Sequence, residues 1–335
     1  MLEEKKIKVS CVMCVYNGEK YIREMIDSIL NQTYKDFEFI IVDDCSTDNT
    51  VKIIESYNDS RIKFYKNEKN MGISYATNRG IELAKGEYIA LADQDDIYYN
   101  TRFEKQVKYL DENMDVGAVS ACWSVNGKEI QYFRENVNIF TILLWWQKDK
   151  NNSRYGIANP VLMIRKDILI KYGLKYDSEY DTAQDMDMAF ELIKVTKIRI
   201  LQEVLVYYRW HRDNNSFVFE KKAIEKSREI QKRALNFLTD DVDLQNKLMN
   251  FLINVNMNDI NVNMNDCKIN KKKKDILKLN FLGISGFLRI KEIERLGIIR
   301  TKYYLLNFLP ILKVKQKGNS RSYYLMGLRI LKIKY

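Results

Sequence analysis

The sequence predicts an α/β fold, an open and mainly parallel sheet flanked by helices, followed by a mainly helical basic extension. Three observations carry this. Over the first hundred residues, short β-rich apolar runs alternate with stretches whose apolar residues recur every three or four positions. Two acidic clusters, Asp43-Asp44 and Asp93-Gln94-Asp95-Asp96, follow directly on such apolar runs. The charge then changes sign: residues 1–215 hold 30 Lys+Arg against 34 Asp+Glu, a net of −4, while residues 216–335 hold 25 against 11, a net of +14.

The elements can be read in order. Ile7 to Tyr16 is a near-continuous apolar strand, and Tyr21, Ile22, Met25, Ile26, Ile29 and Leu30 then mark a helix with one buried face. Phe37 to Val42 is a second strand running into Asp43-Asp44, with Ser46 or Thr47 as cap for a helix from Asn49. Arg61 to Tyr65 reads as a third strand, and Ser74 to Lys85 as a helix stopped by Gly86. Glu87 to Ala92 is a fourth strand that delivers Asp93 to Asp96 at its carboxyl end. Further strands are expected over Val116 to Trp123, Ile157 to Ile164 and Ile198 to Tyr208, with a helix over Gln184 to Val195. The body is expected to close near Ser216, giving a catalytic domain over 1–216 and a basic amphipathic region over 217–335.

That second region carries two repeats. Ile253 to Asp259 recurs unchanged as Ile260 to Asp266, and its alternation suits either a helix or a strand. Tyr303 to Lys315 recurs in diverged form as Tyr323 to Lys334, each copy an aromatic and aliphatic block ending in lysines. Such blocks suit docking on an anionic membrane surface better than nucleic-acid binding, since the body carries no nucleic-acid motif. Solvated faces of tail helices are the plainer alternative.

Composition excludes several classes. With 46% hydrophobic residues the chain can bury a sizeable core. No apolar stretch reaches the ~18 residues that span a bilayer. Five cysteines behind the charged start Met1-Leu-Glu-Glu-Lys-Lys suggest a reducing, cytoplasmic setting, on the inner face of the membrane if the tail docks there. Cys11 and Cys14 form a C-x-x-C inside a strand, where residues three apart face opposite sides, so neither redox nor zinc chemistry is expected. A dinucleotide-dependent oxidoreductase needs G-x-G-x-x-G after the first strand, where this chain has Tyr-Asn-Gly-Glu. A nucleotidyltransferase needs a Gly-rich basic loop there, also missing.

Both acidic clusters sit at strand ends, where open α/β sheets bind ligands. Three carboxylates within four residues repel one another unless a cation sits among them, and Mg²⁺ or Mn²⁺ commonly combines one or two carboxylates with substrate phosphates. A solvated acidic turn is the alternative for such a loop taken alone.

The surrounding motifs are more specific. Val9-Ser-Cys-Val-Met-Cys-Val-Tyr-Asn-Gly18, Ser28-Ile-Leu-Asn-Gln-Thr-Tyr34, Phe37 to Asp48, Asn70-Met-Gly-Ile73, Thr77-Asn-Arg-Gly-Ile81 and Gly86 to Asp96 occur in the order found in family 2 glycosyltransferases of the GT-A fold, which residues 7–216 resemble. The resemblance implies an inverting enzyme that moves a sugar from a nucleotide-diphosphate donor, with a UDP-sugar first, to a hydroxyl of a saccharide or lipid-linked acceptor in surface polysaccharide or lipo-oligosaccharide assembly. A catalytically silent member of the same fold is the alternative, although the acidic residues it would be expected to lose are present.

The resemblance also implies roles. Tyr16 and Asp44 would contact base and ribose, and Asp43 would support that pocket. Cys14, standing where proline or a small polar residue is common, would touch the base, and Asn78, preceded by Thr77 where arginine is common, would lie against phosphate or sugar. Asp93 would assist Asp95 and Asp96 at Mn²⁺ or Mg²⁺. Gln184-Asp185-Met-Asp187 resembles the segment opening the helix under the acceptor, which makes Asp185 the candidate general base; a helix N-terminal acid is its plainer reading. Leu205 to Ser216 resembles the closing Y-R-x-H-x-x-S, so His211, the one histidine, either completes the metal site or is a hydrogen-bonded structural residue. Arg209 and Arg212 would neutralise diphosphate, and Trp145-Trp146 is either a sugar platform or core.

Overall fold

The computed structural model describes residues 7–125, 128–130, 135–145, 156–157, 159–243, 245–246 and 248–249, and beyond them the backbone of 260–262, 276–281, 284–295, 298–306, 312–317, 320–325 and 328–334. The chain divides into two compact units, Met1–Ala234 and Leu235–Tyr335.

The first unit opens with β1 (Val9–Val15), α1 (Ile22–Leu30), β2 (Phe37–Asp43), α2 (Thr50–Glu55), β3 (Ile62–Lys66), α3 (Ile73–Leu83) and β4 (Tyr88–Ala92). β1, β2 and β4 are buried along their length, as expected of parallel strands covered on both faces. The amphipathic α1 buries Ile22, Met25, Ile26 and Ile29. There follow β5 (Ile97–Tyr98), α4 (Arg102–Glu112), β6 (Val116–Val125), β7 (Lys128–Ile130), β8 (Asn136–Val137), α5 (Ile139–Leu143), β9 (Met163–Arg165), α6 (Lys166–Tyr172), α7 (Gln184–Val195), β10 (Lys197–Tyr208), α8 (Asn215–Val218) and α9 (Glu220–Leu238).

These strands form one sheet in the order β3-β2-β1-β4-β9-β6-β10-β5, with β7 beside β6 and β8 beside β10. β1 is parallel to β2 and β4, and β6 is parallel to β10, while β9 runs antiparallel to β4 and β6. The carboxyl ends of β1, β2, β4, β6 and β10 therefore share one edge.

Four sequence expectations change. Ile157 to Ile164 is a 3₁₀ turn over Asn159–Val161 leading into β9, because Pro160 has no N–H for a ladder. Ser46 does not cap α2: its Oγ accepts the Asn17 N–H (2.9 Å), and Asp48 Oδ1 takes the Thr50 N–H (2.9 Å). Gly86 lies beyond the end of α3 and serves close packing, since a Cβ there would stand 2.4 Å from the Ser10 backbone nitrogen. The first unit also continues past Ser216, because α9 returns Arg233 to Asp187 (2.5 Å) and Glu191 (2.6 Å) on α7.

The second unit departs furthest from expectation. Instead of helices, its described residues form β11 (Ile260–Val262), β12 (Ile276–Phe281), β13 (Ile284–Arg295) and β14 (Ile298–Leu306) in one antiparallel sheet. β15 (Leu312–Lys317), β16 (Ser320–Leu325) and β17 (Leu328–Lys334) form another. Period-two alternation such as Leu312-Lys-Val-Lys315, with many β-branched and aromatic residues, favours strands. The first copy of the Ile253 repeat lies outside the described residues. Among the described residues no helix is long and apolar enough to cross a membrane.

Candidate active site

Three strand-end loops interlock at the carboxyl edge. Beyond β1, Asn17 adopts φ 51°, a left-handed geometry that asparagine tolerates, and turns its amide to the loop after β2. The Thr47 N–H donates to Asn17 Oδ1 (2.9 Å), and the Gly18 N–H donates to Thr50 Oγ1 (2.8 Å). The Tyr16 N–H donates to Gln94 Oε1 (2.9 Å) in the loop after β4. This leaves the Tyr16 ring 44% exposed at the edge, open to an aromatic partner.

Asp43 and Asp44 end β2 and are both buried. Asp43 Oδ2 accepts the Ser46 N–H (3.1 Å), while Oδ1 is buried with no partner. Asp44 is fully engaged: it accepts the Met71 N–H (2.9 Å), the Gly72 N–H (2.8 Å) and Asn67 Nδ2 (2.6 Å). Its carboxylate thus shapes the loop before α3. Cys14 lies among Asp44, Asp93, Asp43 and Asp181; burial first, then these charges, push its thiol up and keep it protonated. Cys11 is buried and its thiol is raised to about 12 by burial. Neither forms a disulfide.

The Asp93–Asp96 loop crowds three carboxylates beside Arg209 and the buried Arg102. Burial, then Asp95 and Asp185, raise Asp93 to about 7. Burial also raises Asp95, against hydrogen bonds from His211 Nε2 (2.9 Å) and Asn214 Nδ2 (3.0 Å). Asp96 is 0% exposed; burial and then Asp93 and Asp95 raise it well above the ordinary carboxylate range. Its Oδ1 accepts the Arg209 N–H (3.0 Å), and its Oδ2 has no partner. Arg209 is itself committed, donating from Nε to the Asp95 carbonyl (2.9 Å) and pairing with Glu24 (2.5 Å). Tyr21 stacks on His211 with centroids 4.6 Å apart and fixes the imidazole plane.

Across the edge, Asp185 opens α7. Its Oδ1 accepts the Met186 N–H (2.8 Å), and burial raises it to about 6. Two residues on, Asp187 is ion-paired to Arg233, so the two acids of this segment have different fates. Asp185 stands close enough to Asp93 to raise that acid, and this joins the α7 start to the β4 end.

Could these residues hold a divalent cation? Among the described residues no three His, Cys, Asp or Glu side chains are gathered as a metal cluster. The donor chemistry nonetheless fits one. His211 Nε2 and Asp95 Oδ2 lie 2.9 Å apart, and two adjacent ligands of an octahedral ion with bonds of ~2.1 Å lie about 3 Å apart. Three carboxylates pushed toward protonation, one with an unpartnered oxygen, are the environment a cation relieves.

The fold thus gathers Asp93, Asp95, Asp96, Asp185 and His211, with Tyr16 and Cys14 beside them. Asn78 is placed differently. Its Nδ2 donates to the Tyr176 carbonyl (2.7 Å) and its Oδ1 accepts the Tyr176 N–H (2.9 Å), so both amide functions are spent on backbone. With Ser74 N–H on Asp181 Oδ1 (3.2 Å), it bolts the segment ahead of Asp185 to α3. Asn78→Ala should therefore cost about 1–3 kcal/mol of stability, read by thermal unfolding, as it strands two buried backbone groups; Asn78→Asp keeps one and should fall between. Trp145 is core, packed against Gly156, and Trp146 lies outside the described residues. Arg212 is exposed and Arg209 paired. Gln94, Tyr21, Asp181 and Asn214 escaped the sequence reading, because their work is to hold loops, and only spatial neighbours reveal it.

Comparison with known proteins agrees with this architecture. The family model described as glycosyl transferase family 2 matches residues 10–171. An uncharacterized glycosyltransferase of Methanocaldococcus jannaschii is 38% identical over 223 residues, covering 63% of this chain and 74% of that protein. One from Haemophilus influenzae is 28% identical over 258 residues, covering 72% and 77%. Among solved structures, S. aureus TarS 1-349 in complex with UDP-GlcNAc aligns with a TM-score of 0.58 at 22% identity, over 74% of this chain and 72% of that one. The mannosyltransferase PcManGT of Pyrobaculum calidifontis, in complex with GDP-Man and Mn²⁺, aligns at 0.50 with 17% identity over 73% and 69%. The motifs, the sheet and these relatives converge: the chain is a glycosyltransferase of GT-A fold and belongs to glycosyltransferase family 2.

Proposed function

We propose that the protein is an inverting transferase that moves a hexosyl or N-acetylhexosaminyl group from a nucleotide-diphosphate sugar, with UDP as the first candidate carrier, to a hydroxyl of a saccharide or lipid-linked saccharide. The observation that carries this is the Asp185 carboxylate, held by the Met186 N–H, raised to about 6 by burial and within charge range of Asp93. A base in that range is ionised at neutral pH and still takes up a proton readily. Asp185 takes the acceptor hydroxyl proton as that oxygen bonds to the anomeric carbon. The bond from that carbon to the diphosphate breaks on the opposite face, so the configuration inverts.

Tyr16 offers a ring for the nucleotide base, with Cys14 and Asp43 behind it. Asp44 acts on the same pocket through the Met71–Gly72 backbone, and Asn78 through Tyr176. Asp95 and His211 would hold Mn²⁺ or Mg²⁺, with Asp96 and Asp93 in support, and such an ion would neutralise the departing diphosphate. The UDP-GlcNAc and GDP-Man complexes of the two structural relatives support a nucleotide-sugar donor. Residues 1–216, completed by the start of α9, make up the catalytic part, and 217–335 would dock on acceptor or anionic lipid at the cytoplasmic face in surface-polysaccharide assembly.

The test is release of nucleoside diphosphate from a panel of UDP, GDP and TDP sugars with Mn²⁺ or Mg²⁺. Turnover of one donor class is expected. No turnover and no nucleotide binding with either metal overturns the reading.

A further inference from the structure

Helix α7 presents Asp185 without a cap of its own. Its N-cap position is Ala183, no side chain bonds the first-turn amides from there, and that turn holds two acids, Asp185 and Asp187. Residues two apart on a helix stand about 200° apart around its axis, so Asp187 points away from the flank on which Asp185 and Asp93 interact. There α9 meets it. Asp187 is 3% exposed; Arg233 donates from Nη1 to Asp187 Oδ1 and from Nη2 to Glu191 Oε1, one turn further along the same face. The guanidinium is itself fixed, lying 5.2 Å from the Tyr180 ring and 5.4 Å from the Phe190 ring. Ala223, Ser227, Ile230 and Ala234 form the buried stripe that seats α9, and Gln231 Nε2 donates to the Leu143 carbonyl (2.8 Å) of α5.

We propose that Arg233 is a positioning residue for the base: by clamping Asp187 and Glu191 it fixes the uncapped first turn of α7 and cancels the second acid there, so that Asp185 is presented in one direction and free of its neighbour's charge. A buried ion pair kept for stability alone is replaceable, since well-packed apolar residues of similar volume serve as well. A buried acid two residues from a base is another matter, because its charge opposes ionisation of the base. Burial pushes Asp187 up, and the Arg233 charge opposes that shift. The other charges nearby do not replace Arg233. Glu191 also pairs with Lys194, Asp177 adds a further negative charge, and Lys226 stands over the Tyr180 ring. Asp185 itself faces Asp93 from the β4 end and Tyr176 from the segment ahead of α7. This role rests on Asp185 being the base, and the two can fail separately.

The test uses the full-length protein, Mn²⁺, the sugar donor turned over in the panel above, and a mixture of methyl glucoside, galactoside, mannoside and N-acetylglucosaminide as acceptors. Arg233→Gln should slow nucleoside-diphosphate release about tenfold, with the half-saturating donor concentration and UDP affinity within about twofold of wild type. Arg233→Lys should recover part of the loss. The acid limb of kcat/KM should move up by about one pH unit in Arg233→Gln, because Asp187 then keeps its charge without a cation and Asp185 must ionise against it. Combining Arg233→Gln with Asp187→Asn removes both charges, and should return the limb to its wild-type position and recover part of the rate. Independently of turnover, hydrogen exchange should quicken in Arg233→Gln at the amides of Asp187 and Met188 while those of β1 and β2 keep their protection. Unchanged exchange at the α7 start overturns the proposal. So does a loss of donor affinity equal to the loss of rate, or a double variant as slow as Arg233→Gln with the limb unmoved in both. A wild-type rate in Asp185→Asn would instead overturn the base reading, and absence of UDP binding in the wild type the transfer reading.

Discussion

Asp185→Asn should yield a folded protein that binds its donor normally and transfers sugar slower by a factor on the order of 10³, within the span usual for loss of a general base. The change is nearly isosteric, and the hydrogen bond from the Met186 N–H to Oδ1 can be kept by the amide oxygen. What disappears is a site for the acceptor's proton. Wild-type kcat/KM should also carry an acid limb. The base must be ionised to work, and with Asp185 raised to about 6 by burial, activity should be full above that pH and fall about tenfold per unit below it. The variant's remaining activity should lack this limb. A rate within threefold of wild type, or an unchanged acid limb, places the base elsewhere.

Asp95→Asn should act on a different quantity. Asp95 Oδ2 meets both His211 Nε2 and Asn214 Nδ2, so an amide there loses the charge and puts a donor or a neutral oxygen against two nitrogens. Divalent-dependent donor binding should weaken by about a hundredfold, while binding of the nucleoside without phosphates changes little. Isothermal titration with UDP in the presence and absence of Mn²⁺ separates the two. Equal loss with and without Mn²⁺ would assign Asp95 a structural part only. Because Asp93 and Asp95 are both raised by burial, protons compete with the cation here, and metal affinity should decline as pH falls through about 7.

How much of this could be read without coordinates differs from residue to residue. α7 occupies Gln184 to Val195 as its apolar spacing implies, and β1, β2, β4 and β10 lie within a few residues of their apolar runs. Those segments are long, strongly patterned and bounded by turn residues, so local signals and packing agree. The acidic loop was equally visible, because three carboxylates in four residues have few reasons to coexist. Asp44 and Asn78 show the limit. Their positions in the motifs are clear, but whether their polar atoms face a ligand or the backbone of Gly72 and Tyr176 depends on loops that meet across the fold. The β4–β9 pairing was hidden for a similar reason, since a strand of three residues after Pro160 leaves almost no periodic signal. Lysine-rich alternation in the last sixty residues fits both helix and strand, and there the strand pattern prevailed.

The exit from β10 does two things at once. Neighbouring residues of one extended segment answer to separate demands, Arg209 and His211 to the acidic loop and Trp210 to whatever arrives from solvent. A replacement at the even position leaves the odd ones in register, since no insertion or backbone change is required. An outward ring at this position can therefore be exchanged without disturbing the contacts that Arg209 and His211 make with the acidic loop.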